Sequence, residues 1–187
     1  MLISWLFTVI RNICCFMLNR NIKNLHLFLS PIENESRLMK EMASLIKLNI
    51  VDNIIVLGIS GDGLPLQQYI DDKRQIIRVK LPQPRKNAFR LESKFITLLK
   101  SLIYTFASLK YSIKIKPQFI SCHNLALLPL AGLAKKMVGS KLIYVPHELE
   151  TERTGLTGIF KKLAQWTEPQ FIKYADAVVT VCQPIAS

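Results

Sequence analysis

The 187-residue chain is half hydrophobic and one-fifth charged, with a formal net charge of +12 at pH 7. That length suits a single ordinary domain, and that balance of apolar and charged residues excludes an intrinsically disordered chain. Its four cysteines, Cys14, Cys15, Cys122 and Cys182, include an adjacent pair and no zinc-ligand spacing. The sequence therefore argues against a disulfide framework or a metal centre, and for reduced thiols in the cytoplasm.

In chain order, residues 1–23 come first as an apolar and basic N-terminal helix. Its first eighteen residues are strongly apolar but broken by Arg11 and Asn12, so they fall short of the roughly twenty apolar residues of a membrane span. They also lack the basic start and small-residue cleavage site of a signal peptide. Trp5, Phe7 and Phe16 beside Arg11, Arg20 and Lys23 suit a membrane-surface helix, and a helix packed on the domain or a partner suits them equally.

Residues 24–187 then alternate strand and helix. A short strand over 24–30 turns at Pro31, and a helix from about residue 35 to 48 places Leu38, Met42, Leu45 and Ile46 on one face. Strands follow over 53–58, closed by Gly58, Gly61 and Gly63, and over 75–81, ended by Pro82 and Pro84. A long amphipathic helix over about 91–112 offers Phe95, Leu98, Leu99, Leu102, Phe106 and Leu109 for packing. Residues 118–122 form a fourth strand leading to His123 and Asn124, and the helix after it stops at Gly139. A fifth strand over 141–145 meets Pro146, His147 and Glu148; a helix over about 158–174 precedes a sixth strand over 177–181.

Six short apolar strands alternating with helices predict a doubly wound α/β domain with a mainly parallel, Rossmann-like sheet. Ligands of such sheets bind outside the C-terminal strand ends, near a topological switch point. The run from Gly58 to Gly63 has G-x-x-G-x-G spacing rather than the dinucleotide fingerprint and reads as a loop, and no phosphate-cradling Walker loop is present. His26 reads as a packed core histidine. His123 is either a crevice residue or a helix cap. His147 and Glu148 put two ionisable groups at the end of a buried strand, where they can bind hydroxyls, orient a phosphate or move protons.

Charge is concentrated too. Between Lys73 and Lys116 lie twelve lysines and arginines against the single acid Glu92, a local excess of +11. Such a stretch attracts phosphates, of anionic lipid, nucleotide or nucleic acid, or is simply a well-solvated face. No helix carries a nucleic-acid docking motif, so nucleic acid is not an expected partner.

Four segments in order carry a family resemblance: the helix opening Glu35-Ser-Arg-Leu-Met-Lys-Glu41, the strand ending Ser-Cys-His-Asn124, the run Lys141 to Leu149 with Glu152-Arg153, and Glu168 followed by Tyr174 to Val181. Together they resemble the N-terminal half of a GT-B glycosyltransferase, of the retaining family 4 type. The resemblance implies an acceptor-binding domain of a hexosyltransferase acting in cell-envelope polysaccharide or glycolipid synthesis. It implies that His147 sits near the transferred sugar and acts in catalysis. Glu148 and Arg153 would shape the cleft, and His123, Glu35 and Arg37 would line the acceptor side. The basic stretch would face an anionic membrane or a lipid-linked acceptor, which places the chain in the cytoplasm or peripherally on the inner face of the membrane.

The family's C-terminal, donor-binding domain has no counterpart in these residues. A nucleotide-sugar donor is therefore expected only with such a domain, and this chain is expected to hold no cofactor and to be inactive alone. A truncated product, half of a split enzyme with a partner chain, and a stand-alone acceptor-binding domain all remain open. A reading from a different class is a non-enzymatic module that docks on a membrane or a partner.

Overall fold

The computed structural model describes residues 21–33, 35–82, 90–146 and 170–179. Of the N-terminal helix expected over 1–23, residues 1–20 lie outside these; residues 21 and 22 are not helical and Lys23 opens the first strand. The strands are β1 (Lys23–Leu27), β2 (Asn53–Ile59), β3 (Gln67–Tyr69), β4 (Arg74–Val79), β5 (Phe119–Cys122), β6 (Lys141–Tyr144) and β7 (Ala177–Val178). The helices are α1 (Ser36–Lys47), α2 (Arg90–Ile115) and α3 (Leu128–Val138), with a 3-10 turn at Leu125–Leu127.

One seven-stranded sheet runs in the order β3-β4-β2-β1-β5-β6-β7, parallel except for β3 against β4. The expected doubly wound parallel sheet is therefore present, with one antiparallel edge strand that was not expected. Gln67, Gln68 and Tyr69 are polar, exposed and only three in number, so they carry no strand pattern.

Alternation along β1 divides the core. Leu25 and Leu27 join Tyr104 of α2 and Leu128 and Ala131 of α3 on one face. Phe28 joins Leu38 and Met42 of α1 on the other, with Leu45 and Ile46 packed against that cluster. α1 thus covers one face while α2 and α3 cover the opposite one, as right-handed crossovers in this strand order require. At the end of α3, Gly139 turns left-handed with φ 72° and its N–H donates to the Lys135 carbonyl, a conformation that an L side chain would strain.

Two polar devices tie strand ends together. At the C-terminal edge the buried Arg78 of β4 donates from its guanidinium to the carbonyl oxygens of Pro31, Pro65 and Ile32 and to Gln68 Oε1, at 2.6 to 3.1 Å. One rigid fork therefore holds the β1–α1 loop against the β2–β3 connection. At the opposite edge Asp176 accepts from the Leu142 backbone N–H at 2.8 Å and pairs with Lys135 at 2.6 Å and Lys141 at 3.2 Å. Burial works against its ionisation, yet the bonds from Lys135, Leu142 and Lys141 bring its carboxyl down to about 2.

Replacing Arg78 with methionine keeps the length but removes the fork, stranding buried carbonyls. The expected cost is roughly 3 kcal/mol, read as a drop in the urea unfolding midpoint. Asp176 titrates lower in the fold than in the unfolded chain, so its contribution is present above the usual carboxylate range and fades as pH falls toward 2. The stability gap between wild type and Asp176→Asn should accordingly be largest near neutrality and shrink steadily between about pH 5 and pH 2.

Candidate functional site

β1 pairs with β2 on one side and β5 on the other, and the chain leaves in opposite directions from it: through α1 to β2, and from β4 through α2 to β5. This is the sheet's switch point, where parallel α/β sheets leave a crevice outside the strand ends. The β1–α1 loop forms one lip. Glu35 occupies the N-cap position of α1 without a side-chain capping bond; its carboxylate accepts a hydrogen bond from Ser30 Oγ at 3.0 Å, while Ser30 Oγ accepts from the Ile32 N–H at 3.1 Å. Ile32 is buried with φ 56°, a left-handed backbone that costs a β-branched residue about 1–3 kcal/mol and persists only where neighbours over-determine it. Its carbonyl is one of those held by Arg78.

The glycines after β2 serve this lip. A side-chain carbon on Gly58 would overlap the Ile32 side chain and stand 2.7 Å from the Ser30 carbonyl oxygen; one on Gly61 would stand 2.8 Å from Pro31. The expected plain loop is thus a close-packing device, in which absent side chains let two loops touch.

Beneath the lip, β1 and β5 bring polar groups into the sheet interior. His26 and Asn24 project to the α1 face, as do Ser121 and His123 of the β5 segment, and all four are buried. His26 Nδ1 is 2.8 Å from His123 Nε2, the rings stack at 5.1 Å, and Phe28 lies 5.0 Å from His123 on its other side. Asn24 Nδ2 is 3.0 Å from His26 Nε2 and 3.2 Å from Ser121 Oγ. Glu41 of α1 faces the same cluster, and burial pushes its carboxyl up to about 7.

Two cavities flank the switch point. On the α2–α3 side a crevice of about 230 Å3 lies among Leu29, Ile59, Leu81, Lys100, Tyr104 and Leu127. Tyr104 closes its floor, its hydroxyl donating to the Leu57 carbonyl at 2.9 Å and accepting from the Phe28 N–H at 3.2 Å. On the other face a groove of about 480 Å3 runs between α1 and the outer strands. Arg37, Lys40 and Glu41 form its polar wall, and Leu45, Ile143, Val145 and Val179 its apolar surface. A cationic rim over an apolar floor suits an anionic amphiphile.

Of the residues singled out in the sequence, Glu35 sits in the lip, Arg37 on the groove wall and His123 in the buried cluster. His147, Glu148 and Arg153 lie outside the described residues; Val145 and Pro146, just before them, are buried past the end of β6. Sequence reasoning did not single out Asn24, Glu41 or Ser121, and read His26 as packed core. The signal was in β1, where two polar residues interrupt what should be a continuous apolar central strand. Nothing in the sequence pointed to Glu41, because only tertiary packing sets it against the histidines.

Among the described residues the basic stretch does not form one face. Arg78 is buried within the loops and Arg74 pairs with Asp71 at 2.7 Å. On α2, Leu99, Leu102, Phe106 and Ile113 form an exposed stripe, Phe106 being 69% exposed, with Lys110 and Lys114 exposed beside it. Leu99, Leu102 and Phe106 were expected to pack and do not, whereas Leu109 packs on the core as expected; the side chains of Phe95 and Leu98 lie outside those described. Among the described residues no helix is long and apolar enough to cross a membrane.

No family model matches the sequence, and comparison with curated proteins gives no match. Among solved structures, a sucrose-phosphate synthase fragment from Thermosynechococcus elongatus superposes with a TM-score of 0.57 at 12% identity, over 87% of this chain and 78% of that one. MurG of Acinetobacter baumannii gives a TM-score of 0.46 at 13% identity, over 86% of this chain and 42% of that one. The sheet order, the flanking helices and the first of these likenesses establish that the chain has a Rossmann-like, mainly parallel α/β fold like that of the sucrose-phosphate synthase fragment.

Proposed function

We propose that this chain is the acceptor-binding half of a retaining glycosyltransferase of cell-envelope polysaccharide or glycolipid synthesis. The observation that carries the reading is the groove beside the switch point, with its Arg37 and Lys40 rim over an apolar floor, in a GT-B type fold. A lipid-linked acceptor joins a negatively charged head to an apolar chain, and that groove offers a complement to both. His147 is the proposed catalytic residue. Glu148 and Arg153 are assigned to the cleft, and Glu35, Arg37 and His123 to the acceptor side, Glu35 and His123 by holding the loop and strand end in place. The nucleotide-sugar donor falls to a second domain, in the same polypeptide or a partner chain. Holding donor and acceptor in reacting geometry is much of the rate acceleration, so transfer requires both halves.

The stripe on α2 favours a peripheral membrane position for the same chain. Leu99, Leu102, Phe106 and Ile113 leave apolar surface in water, and Lys110 and Lys114 border it. Each lysine near an anionic surface adds about 1 kcal/mol. Docking of this kind with no transfer at all would fit the non-enzymatic reading instead.

With a donor-binding domain supplied in cis or in trans, transfer from radiolabelled nucleotide sugars to lipid-phosphate acceptors is expected. His147→Ala should lower it by roughly 10²–10⁴-fold with far-UV circular dichroism unchanged. Undiminished transfer by that variant removes His147 from the chemistry, and wild-type transfer by the chain alone removes the need for a second domain.

Sedimentation with phosphatidylglycerol-containing vesicles should show binding that neutral phosphatidylcholine vesicles do not support. Lys110→Glu with Lys114→Glu, or Phe106→Asp, should weaken it at least about tenfold, since two lysines contribute about 2 kcal/mol. Binding indifferent to both changes would eliminate the α2 face as the membrane contact.

A further inference from the structure

Three side chains from three separate elements converge behind the groove: His26 of β1, His123 at the end of β5 and Glu41 in the second turn of α1. Their ligand atoms, one nitrogen from each ring and one carboxylate oxygen, all lie within 4.8 Å of one another. Both rings are buried, and His26 Nδ1 faces His123 Nε2 at 2.8 Å. A triad held only by hydrogen bonds would bring the carboxylate onto a ring nitrogen. Instead Glu41 makes no hydrogen bond or ion pair among the described residues, and stands off from the two nitrogens across a short gap.

We propose that His26, Glu41 and His123 bind one divalent transition-metal ion of the Zn2+ class. Two neutral imidazoles and a carboxylate are a borderline nitrogen–oxygen donor set that suits such an ion, with water or another oxygen as fourth ligand. Bonds of about 2.0–2.2 Å would ask the two rings to part by a few tenths of an ångström, with the metal replacing the proton between them. Binding therefore shifts the His26 proton from Nδ1 to Nε2 with no net loss from the rings, and gives the Glu41 carboxylate a cationic partner. Glu41 also lines the groove, which provides the entry path.

Asn24 supplies the second shell. With its amide nitrogen toward His26 Nε2, that nitrogen accepts and Nδ1 carries the proton given to His123. Turned over, the amide oxygen accepts from Nε2–H, and the Nδ1 lone pair becomes free for the ion. Ser121 Oγ is 3.2 Å from both Asn24 Nδ2 and Asn24 Oδ1, so it retains a partner in either orientation. Metal-free and metal-loaded states thus differ by one amide flip, one change of His26 tautomer and a small ring shift. Cysteine spacing gave no hint of this, because the ligands are neither cysteines nor close in sequence.

The test uses the full chain, stripped with EDTA and titrated with Co2+ and then Zn2+. Expected are one Co2+ per chain, visible d–d absorption, its loss on adding Zn2+, and a raised melting temperature. Asn24→Ala should weaken Co2+ binding roughly 10–100-fold, as second-shell changes do. His26→Gln, His123→Gln and Glu41→Gln should weaken it more. Should a histidine variant fail to fold, Glu41→Gln at the groove wall carries the test. Absence of Co2+ binding, binding that survives Glu41→Gln, or a thiolate-to-cobalt charge-transfer band in place of d–d absorption each overturns the proposal. None of these readouts depends on sugar transfer.

Discussion

The pairing of β1 with β5 is the constraint on which the rest depends. The two strands stand 95 residues apart in register, Asn24 against Phe119 and Leu27 against Cys122. Closing so long a loop costs entropy that local contacts cannot return. It becomes favourable only because β1, once central, is covered on both faces, with Leu25 and Leu27 on one and Phe28 on the other fully or nearly buried. The same pairing creates the switch point, stacks His123 on His26 and opens the crevices on either side. Fold and candidate site are consequences of one set of hydrogen bonds.

The C-terminal edge shows how such a site is kept in shape. Its lip contains a left-handed isoleucine, two contact-tight glycines and several backbone carbonyls turned inward. Arg78 meets three of those carbonyls with one planar fork, and Ser30 and Glu35 brace the rest. The strain at Ile32 is tolerable because its side chain is buried and its carbonyl is held. A basic residue that looked like surface charge in the sequence is therefore an internal clamp, and the net charge overstates what the surface presents.

Much of the architecture was legible beforehand because it is written in local patterns. The spacing of Leu38, Met42, Leu45 and Ile46 marked α1, and the apolar run before Gly58 marked β2. Gly139 marked the end of α3, where φ 72° now shows why glycine stands there. β3 was illegible, since three exposed polar residues have no periodicity and pair only because β4 offers an edge. Phe106 and Leu102 misled for the opposite reason. Their helical spacing announced an apolar face, and spacing alone does not say whether that face meets the core.

The candidate site divides along the same line. By itself the sequence determined the alternation of strands and helices, and hence a parallel sheet with His123 just past a strand end. It also determined the local turn chemistry, because glycine, proline and helical periodicity act within a few residues. Only the tertiary structure decided that β1 lies beside β5, that Glu41 faces two histidines from different strands, and that Arg78 points inward. Those outcomes depend on register and on which faces meet across the sheet. Contacts between residues tens of positions apart leave no periodic trace along the chain.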